Sequence, residues 1–364
     1  MEKKDSRLYF VDAAKVVAIL VVVWNHSGLY LPGVNFWGGI FYVPAFFLLA
    51  GYTYKQKQEN YATFVKRKAI RLLVPYATAN LLLVGFFTLK EIFAGMFTVR
   101  NLMQNLAGVL YARNRLLEDA EQIAFLGIGQ NGRQIMFMRS LNAPTWFLPA
   151  LFLTLIVGEL LFRSMKGNSK VVAFLIALMC ISMVVWHYAT NIILPWGIDI
   201  LPFTLSLFIV GYLLREKRIF EKLYEKPLRA VIVTVLLAVL AISVTCLNGS
   251  VNISVSMFGK SVMAALLAAI AAVIVHCFLM YVLEKVCTPL AKALATPARY
   301  TLTILLYHYF IMQMFHLVMV SVFGCQEGVF LQLLAAIVSI VGSVLLACLY
   351  RFLIHAKRTE DKDE

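Results

Sequence analysis

The sequence predicts an all-α, polytopic integral membrane protein with about ten transmembrane helices and both termini on the cytoplasmic side. Three observations carry that expectation. Hydrophobic residues make up 61% of the 364 and charged residues only 14%, which leaves too little polar surface to coat a water-soluble globule. The apolar residues fall in runs of membrane-spanning length. The basic residues gather in short clusters on one side of those runs, so the net charge of +14 reads as the positive-inside pattern and not as a nucleic-acid surface.

Runs able to cross a hydrocarbon core of ~30 Å at ~1.5 Å per residue lie near 8–31, 36–54, 72–94, 145–163, 171–187, 197–214, 228–247, 256–283, 300–323 and 329–354. The first is too long for a signal-peptide core and lacks a small-residue cleavage site, so it reads as a retained signal-anchor helix. With the N-terminus in the cytoplasm, 25 of the 33 Lys and Arg fall on the cytoplasmic side. Seven fall outside, six of them in or beside the stretch from Lys90 to Arg139, and Lys15 lies within the first span. A long segment is weakly constrained by charge counting, so the orientation stands. The extracytoplasmic segment 91–144 carries Arg113, Arg115, Glu118, Asp119 and Glu121 among apolar residues at mixed spacing. That pattern fits short amphipathic helices lying over the membrane. The six cysteines show no CxxC or ligand spacing and read as small buried apolar residues; no metal is expected. No repeat divides the chain, which is read as one domain, 1–364.

Chemistry is sought among polar residues inside apolar helices, because an ionisable side chain at the bilayer centre costs about 2.5–3.5 kcal/mol on insertion scales. The first span holds Asp12, Lys15 and His26. Asp12 and Lys15, three apart, share a helix face and are able to pair. Lys15 and His26, eleven apart, also share a face, with roughly 16 Å between them along the axis. Two readings fit this polar seam: Lys15 and His26 reach toward the two interfaces, or they line a functional site.

The residues in combination resemble a known family. Arg7-Leu-Tyr-Phe-Val-Asp12-Ala-Ala-Lys15, ten further residues and His26 resemble the opening of the membrane-bound O-acyltransferases of the acyltransferase-3 superfamily, whose hallmark is a basic residue, ten positions and a histidine. The nearest branch resembles the fucose 4-O-acetylase-like one, where Lys often takes the place of Arg. Phe46-Phe47-Leu48-Leu49-Ala50-Gly51-Tyr52 is similar to the family's FFxxSGY segment, and Lys66-Arg67-Lys68 through Arg71 to Pro75 to its basic RxxRxxxP turn. Ala50 stands where the family has Ser, so a hydroxyl role does not carry over, whereas the close packing that Gly51 allows does. Pro144-Thr145-Trp146-Phe147-Leu148 and Leu306-Tyr307-His308 are similar to later segments, so the likeness runs in order along nearly the whole chain.

That resemblance implies transfer of an acyl group, usually acetyl, from a cytoplasmic acyl-CoA donor such as acetyl-CoA to a hydroxyl of a carbohydrate or glycolipid acceptor at the outer face of a bacterial plasma membrane. His26 then suits the general base, and Lys15 with Asp12 the donor route. Arg67, Lys68 and Arg71 suit the coenzyme A phosphates; ordinary positive-inside anchoring explains the same cluster. Trp146 suits stacking on a sugar, as does Trp196, though tryptophan also populates membrane interfaces. His308 lines either the active cavity or the helix core. Asp199 and Asn252, near outer helix ends, are candidates to bond acceptor hydroxyls, and solvated loop positions explain them equally. Glu159, within the fourth span, calls for a partner such as Arg163, four residues on. Two other classes stay open: a transporter of glycans or small anions, and a non-catalytic subunit of a polysaccharide assembly system. Nucleic acid is excluded as a partner, and oligomeric state is not readable.

Overall fold

The computed structural model describes residues 7–56, 58–113, 141–165, 169–189 and 193–363. Among them the chain is helical, with short 3-10 turns and one isolated bridge, Asn252 to Met257. The helices are α1 (Tyr9–His26), α2 (Pro32–Tyr52), α3 (Tyr61–Phe93), α4 (Val99–Tyr111), α5 (Phe147–Met165), α6 (Ser169–Ala189), α7 (Leu201–Glu216), α8 (Ile219–Tyr224), α9 (Pro227–Asn248), α10 (Val262–Val286), α11 (Thr288–Ala295), α12 (Thr301–Ser321) and α13 (Val329–Asp363). Among the described residues nine stretches are long and apolar enough to cross a membrane. The tenth expected run, 171–187, coincides with α6, whose described apolar stretch is Leu178–Ala189. The all-α polytopic architecture therefore holds. Leu228, Val231, Leu236 and Val239 of α9 stand exposed along the helix, a surface that only lipid tolerates.

Contacts divide the chain into two compact units, one formed by residues 1–42 and 277–364 and the other by 43–276. In the first, α1 packs on α11 and α12, and α12 pairs with α13. Ala13, Ala14 and Ala18 give α1 a slim buried face, and small residues let helices approach where lipid supplies no hydrophobic drive. The start of α1 is pinned by polar contacts. The Phe10 amide donates to Glu284 Oε2 at 2.7 Å, satisfying a first-turn N–H, while Arg7 bonds Asp12 at 2.7 Å and the Ala295 carbonyl at 3.2 Å.

In the second unit α2 and α7 cross on paired glycines. A Cβ on Gly51 would fall 1.8 Å from the Phe208 carbonyl oxygen, and one on Gly211 1.9 Å from that of Leu48. This is the packing role expected of Gly51. Helix α3 starts eleven residues earlier than its apolar run. Asn60 caps it by accepting from the Ala62 amide at 3.0 Å, so Lys66–Pro75, read from sequence as a turn, is helical and continuous with the span. Within 91–144 one amphipathic helix, α4, is described; Arg115, Glu118, Asp119 and Glu121 lie outside the described residues. Its polarity is inverted. Gln104, Asn105 and Gly108 are buried, whereas Val99, Met103 and Leu110 are exposed.

Candidate active site

His26 is the last residue of α1, and the helix stops there for local reasons. Ser27 returns its amide to the Val23 carbonyl at 3.0 Å and its hydroxyl to Trp24 O at 2.8 Å. Gly28 then turns with φ +79°, a conformation that favours glycine. Asn35 of α2 staples the end: it accepts from Trp24 Nε1 at 3.2 Å and from the Leu31 amide at 2.7 Å, and donates to Asn25 Oδ1 at 3.0 Å. Against this fixed end lies α12. The rings of His26 and His308 are 5.4 Å apart, and Tyr309 sits edge-on to His26 at 5.4 Å. His308 is wholly buried. Its Nδ1 lies 2.6 Å from the Ile304 carbonyl, which only accepts, so Nδ1 carries the proton. Nε2 is buried without a partner. The first unit thus brings together two residues that sequence named separately, His26 and His308. Lys15 and Asp12 lie lower on the same helix, with Asp12 engaged by Arg7.

The second unit gathers the basic cluster at the start of α3. Arg67 pairs with Glu59, and both Arg67 and Lys68 stand over the Phe64 ring, at 5.4 and 5.2 Å. Arg67 Nε is buried and unpartnered, and Arg71 is exposed. Nearby, Glu159 of α5 is wholly buried and accepts from Arg163 Nε at 2.6 Å, the expected i,i+4 pair, and from Tyr54 Oη at 2.5 Å. Tyr61 of α3 donates to the Ile156 carbonyl at 3.1 Å, tying α3 to α5. The end result is a half-buried group of cations with donors to spare, suited to phosphate oxygens.

At the opposite end of this unit lies a second polar cluster. Arg113 Nη2 bonds Asp199 Oδ2 at 3.0 Å and Ser256 Oγ at 2.7 Å, and the Ser256 hydroxyl also donates to Asp199. The Arg113 and Asp199 side chains are each 1% exposed. Asp199 is therefore no solvated loop residue: its partner is a cation that sequence reading left on the membrane surface. Burial holds the Arg113 pKa below its ordinary value, an effect that the neighbouring Asp199 and Tyr111 only partly offset. Trp146 is buried with the Arg113 guanidinium 5.8 Å over its ring, so it is not an interfacial anchor. Asn252 is exposed and occupied locally, accepting from the Ser254 amide at 3.2 Å and hydroxyl at 2.6 Å as the cap of a 3-10 turn.

Compared with known proteins, residues 8–350 match the acyltransferase-3 family model, described as an acyltransferase domain. The chain belongs to that family. No curated protein and no solved structure gives a match. The family match runs through both units and makes this multi-pass membrane protein an acyltransferase in general terms. Three polar neighbours in this acyltransferase escaped sequence reading as site components. Tyr309 follows His308 and was signalled only by that adjacency. Tyr54 follows the Phe46–Tyr52 segment by two residues. Ser256 sits in a loop without motif, and nothing in its surroundings marks it before Arg113 and Asp199 meet.

Proposed function

We propose that the protein transfers an acyl group, acetyl in the first instance, from acyl-CoA to a hydroxyl of a cell-envelope carbohydrate or glycolipid. The observation that carries this reading is His26 at the fixed end of α1 with the buried imidazole of His308 5.4 Å away. His26 takes the proton from the acceptor hydroxyl; the oxygen attacks the thioester carbonyl carbon, forming the ester C–O bond as the C–S bond breaks. The thiolate leaves as coenzyme A, and the imidazolium of His26 returns the proton to it or to solvent. His308, packed ring to ring beside it, shelters the base. Arg67, Lys68 and Arg71 hold the donor phosphates, and Lys15 with Asp12 forms the polar route along α1. The positive-inside charge pattern supports placing Arg67, Lys68 and Arg71 on the cytoplasmic side, where acyl-CoA is available; the bacterial plasma membrane rests on the family resemblance.

Purified protein in detergent tests this directly. Coenzyme A release from acetyl-CoA should be measurable and should vanish in His26→Gln, which keeps size and hydrogen bonding but accepts no proton near neutral pH. Release that persists unchanged in a folded His26→Gln protein removes the base assignment. No release and no esterified envelope glycan in wild type removes the enzyme reading in favour of transport or a subunit role.

A further inference from the structure

We propose that the end of the second unit opposite its basic cluster is a binding subsite for an uncharged sugar, read by Arg113, Asp199 and Ser256 and walled by Trp146 and Trp196. The inference rests on the acyl-transfer reading only for what becomes of the bound sugar. A guanidinium carries five N–H donors, yet Arg113 uses Nη2 alone. Its Nε and Nη1 are buried with no partner, an arrangement that native interiors avoid. On the buried face of α4, Asn105 Oδ1 is an acceptor equally without a donor.

Charge decides what is missing. Asp199 already balances Arg113, so a further anion would leave the buried cluster net negative. What is wanted is an uncharged oxygen that accepts from Arg113 Nε and Nη1. A hydroxyl does so, and a sugar presents several at fixed spacing. Planar aromatic faces are at hand in Trp146 under the guanidinium and Trp196 beside Phe152, with centroids 6.2 Å apart in the second pair.

The scaffold around these groups is built at a conformational cost. Of the four described non-glycine residues with positive φ, three adjoin the cluster: Ala112, Trp196 and Ser256, at 56°, 58° and 57°. Such residues persist where their surroundings over-determine them, commonly at ligand sites. Each is held. Ala112 N–H donates to Gly108 O at 2.9 Å, and Trp196 Nε1 to Leu110 O at 2.7 Å. The loop bearing Ser256 is clamped by Asn248, which donates to Phe258 O at 2.7 Å and accepts from the Ser261 amide at 2.7 Å. Gly197, with φ +78°, brings its backbone so close that a Cβ would stand 3.2 Å from Arg113 Nη1.

The test uses full-length protein in detergent without any acyl-CoA. Unfolding temperature and tryptophan fluorescence are followed against glucose, galactose and N-acetylglucosamine, with glucuronate as the charged comparator. At least one uncharged sugar should raise the unfolding temperature and do so at lower concentration than glucuronate. Arg113→Lys keeps a cation against Asp199 but loses the spare donors, and should weaken that sugar about tenfold. Ser256→Gly suits the left-handed backbone while removing the hydroxyl, should also weaken binding, and decides the matter if Arg113→Lys does not fold. A purely structural ion pair predicts lower stability with no change in sugar response. That result, a preference for glucuronate, or no response to any of the three sugars overturns the subsite. Sugar binding without acyl transfer sinks the enzyme reading alone; acyl transfer with an unchanged acceptor KM in Arg113→Lys sinks the subsite alone.

Discussion

The two polar sites of this chain are made in opposite ways. In the first unit His26 and His308 project from helices whose own ladders satisfy the backbone, and their rings meet 5.4 Å apart with His308 Nδ1 on the Ile304 carbonyl. In the second, Arg113, Asp199 and Ser256 come from turns and loops, carry full charges, and need three left-handed residues to meet. A site on helix faces is held by packing that exists anyway. A site on turns contributes to the packing that holds it. Substitutions should therefore act mainly on rate in the first unit and mainly on stability in the second.

The largest effect expected is on rate: His26→Gln should lower acyl transfer by about 10²–10⁴ while leaving the unfolding midpoint nearly unmoved. A large loss of stability in that variant would break the comparison. Next comes stability. Arg113→Ala leaves the Asp199 carboxylate buried and unpaired, a cost of about 3–5 kcal/mol, whereas the double substitution Arg113→Ala with Asp199→Ala should cost less than the two singles together. Additive single effects in chemical denaturation would show that the pair is not coupled. Smallest is Arg71→Ala. An exposed cation contributes about 0.2–1 kcal/mol, so the donor KM should rise by no more than about fivefold, with kcat and stability intact; an unchanged KM would leave Arg71 as an anchor.

The spans were legible because a bilayer demands long apolar runs, and nothing else in the chain looks like one. The Glu159–Arg163 pair was legible for a similar reason, since i,i+4 neighbours meet on any helix. The start of α3 was not: hydropathy stops at Arg71, but Asn60 caps a helix whose first turns stand below the apolar layer. His26 and His308 were each marked by motif, yet no periodicity links positions on α1 and α12. Asp199 was not legible as half of a buried ion pair because its partner is 86 residues away, at the end of a segment whose helix turns its polar face inward. Pattern reading assumes polar means outside, and in a membrane that assumption inverts.

The glycine crossing of α2 and α7 has a consequence for how this protein varies. What a side chain at Gly51 or Gly211 would strike is backbone carbonyl, at Phe208 and Leu48, and not the tip of a neighbouring side chain. Shrinking a neighbour therefore creates no room. Second-site suppressors of Gly51→Ala would have to displace a whole helix, so the two glycines form a genetic ratchet: each narrows the other's permitted substitutions to none, and the pair drifts only if the spacing of α2 and α7 drifts with it.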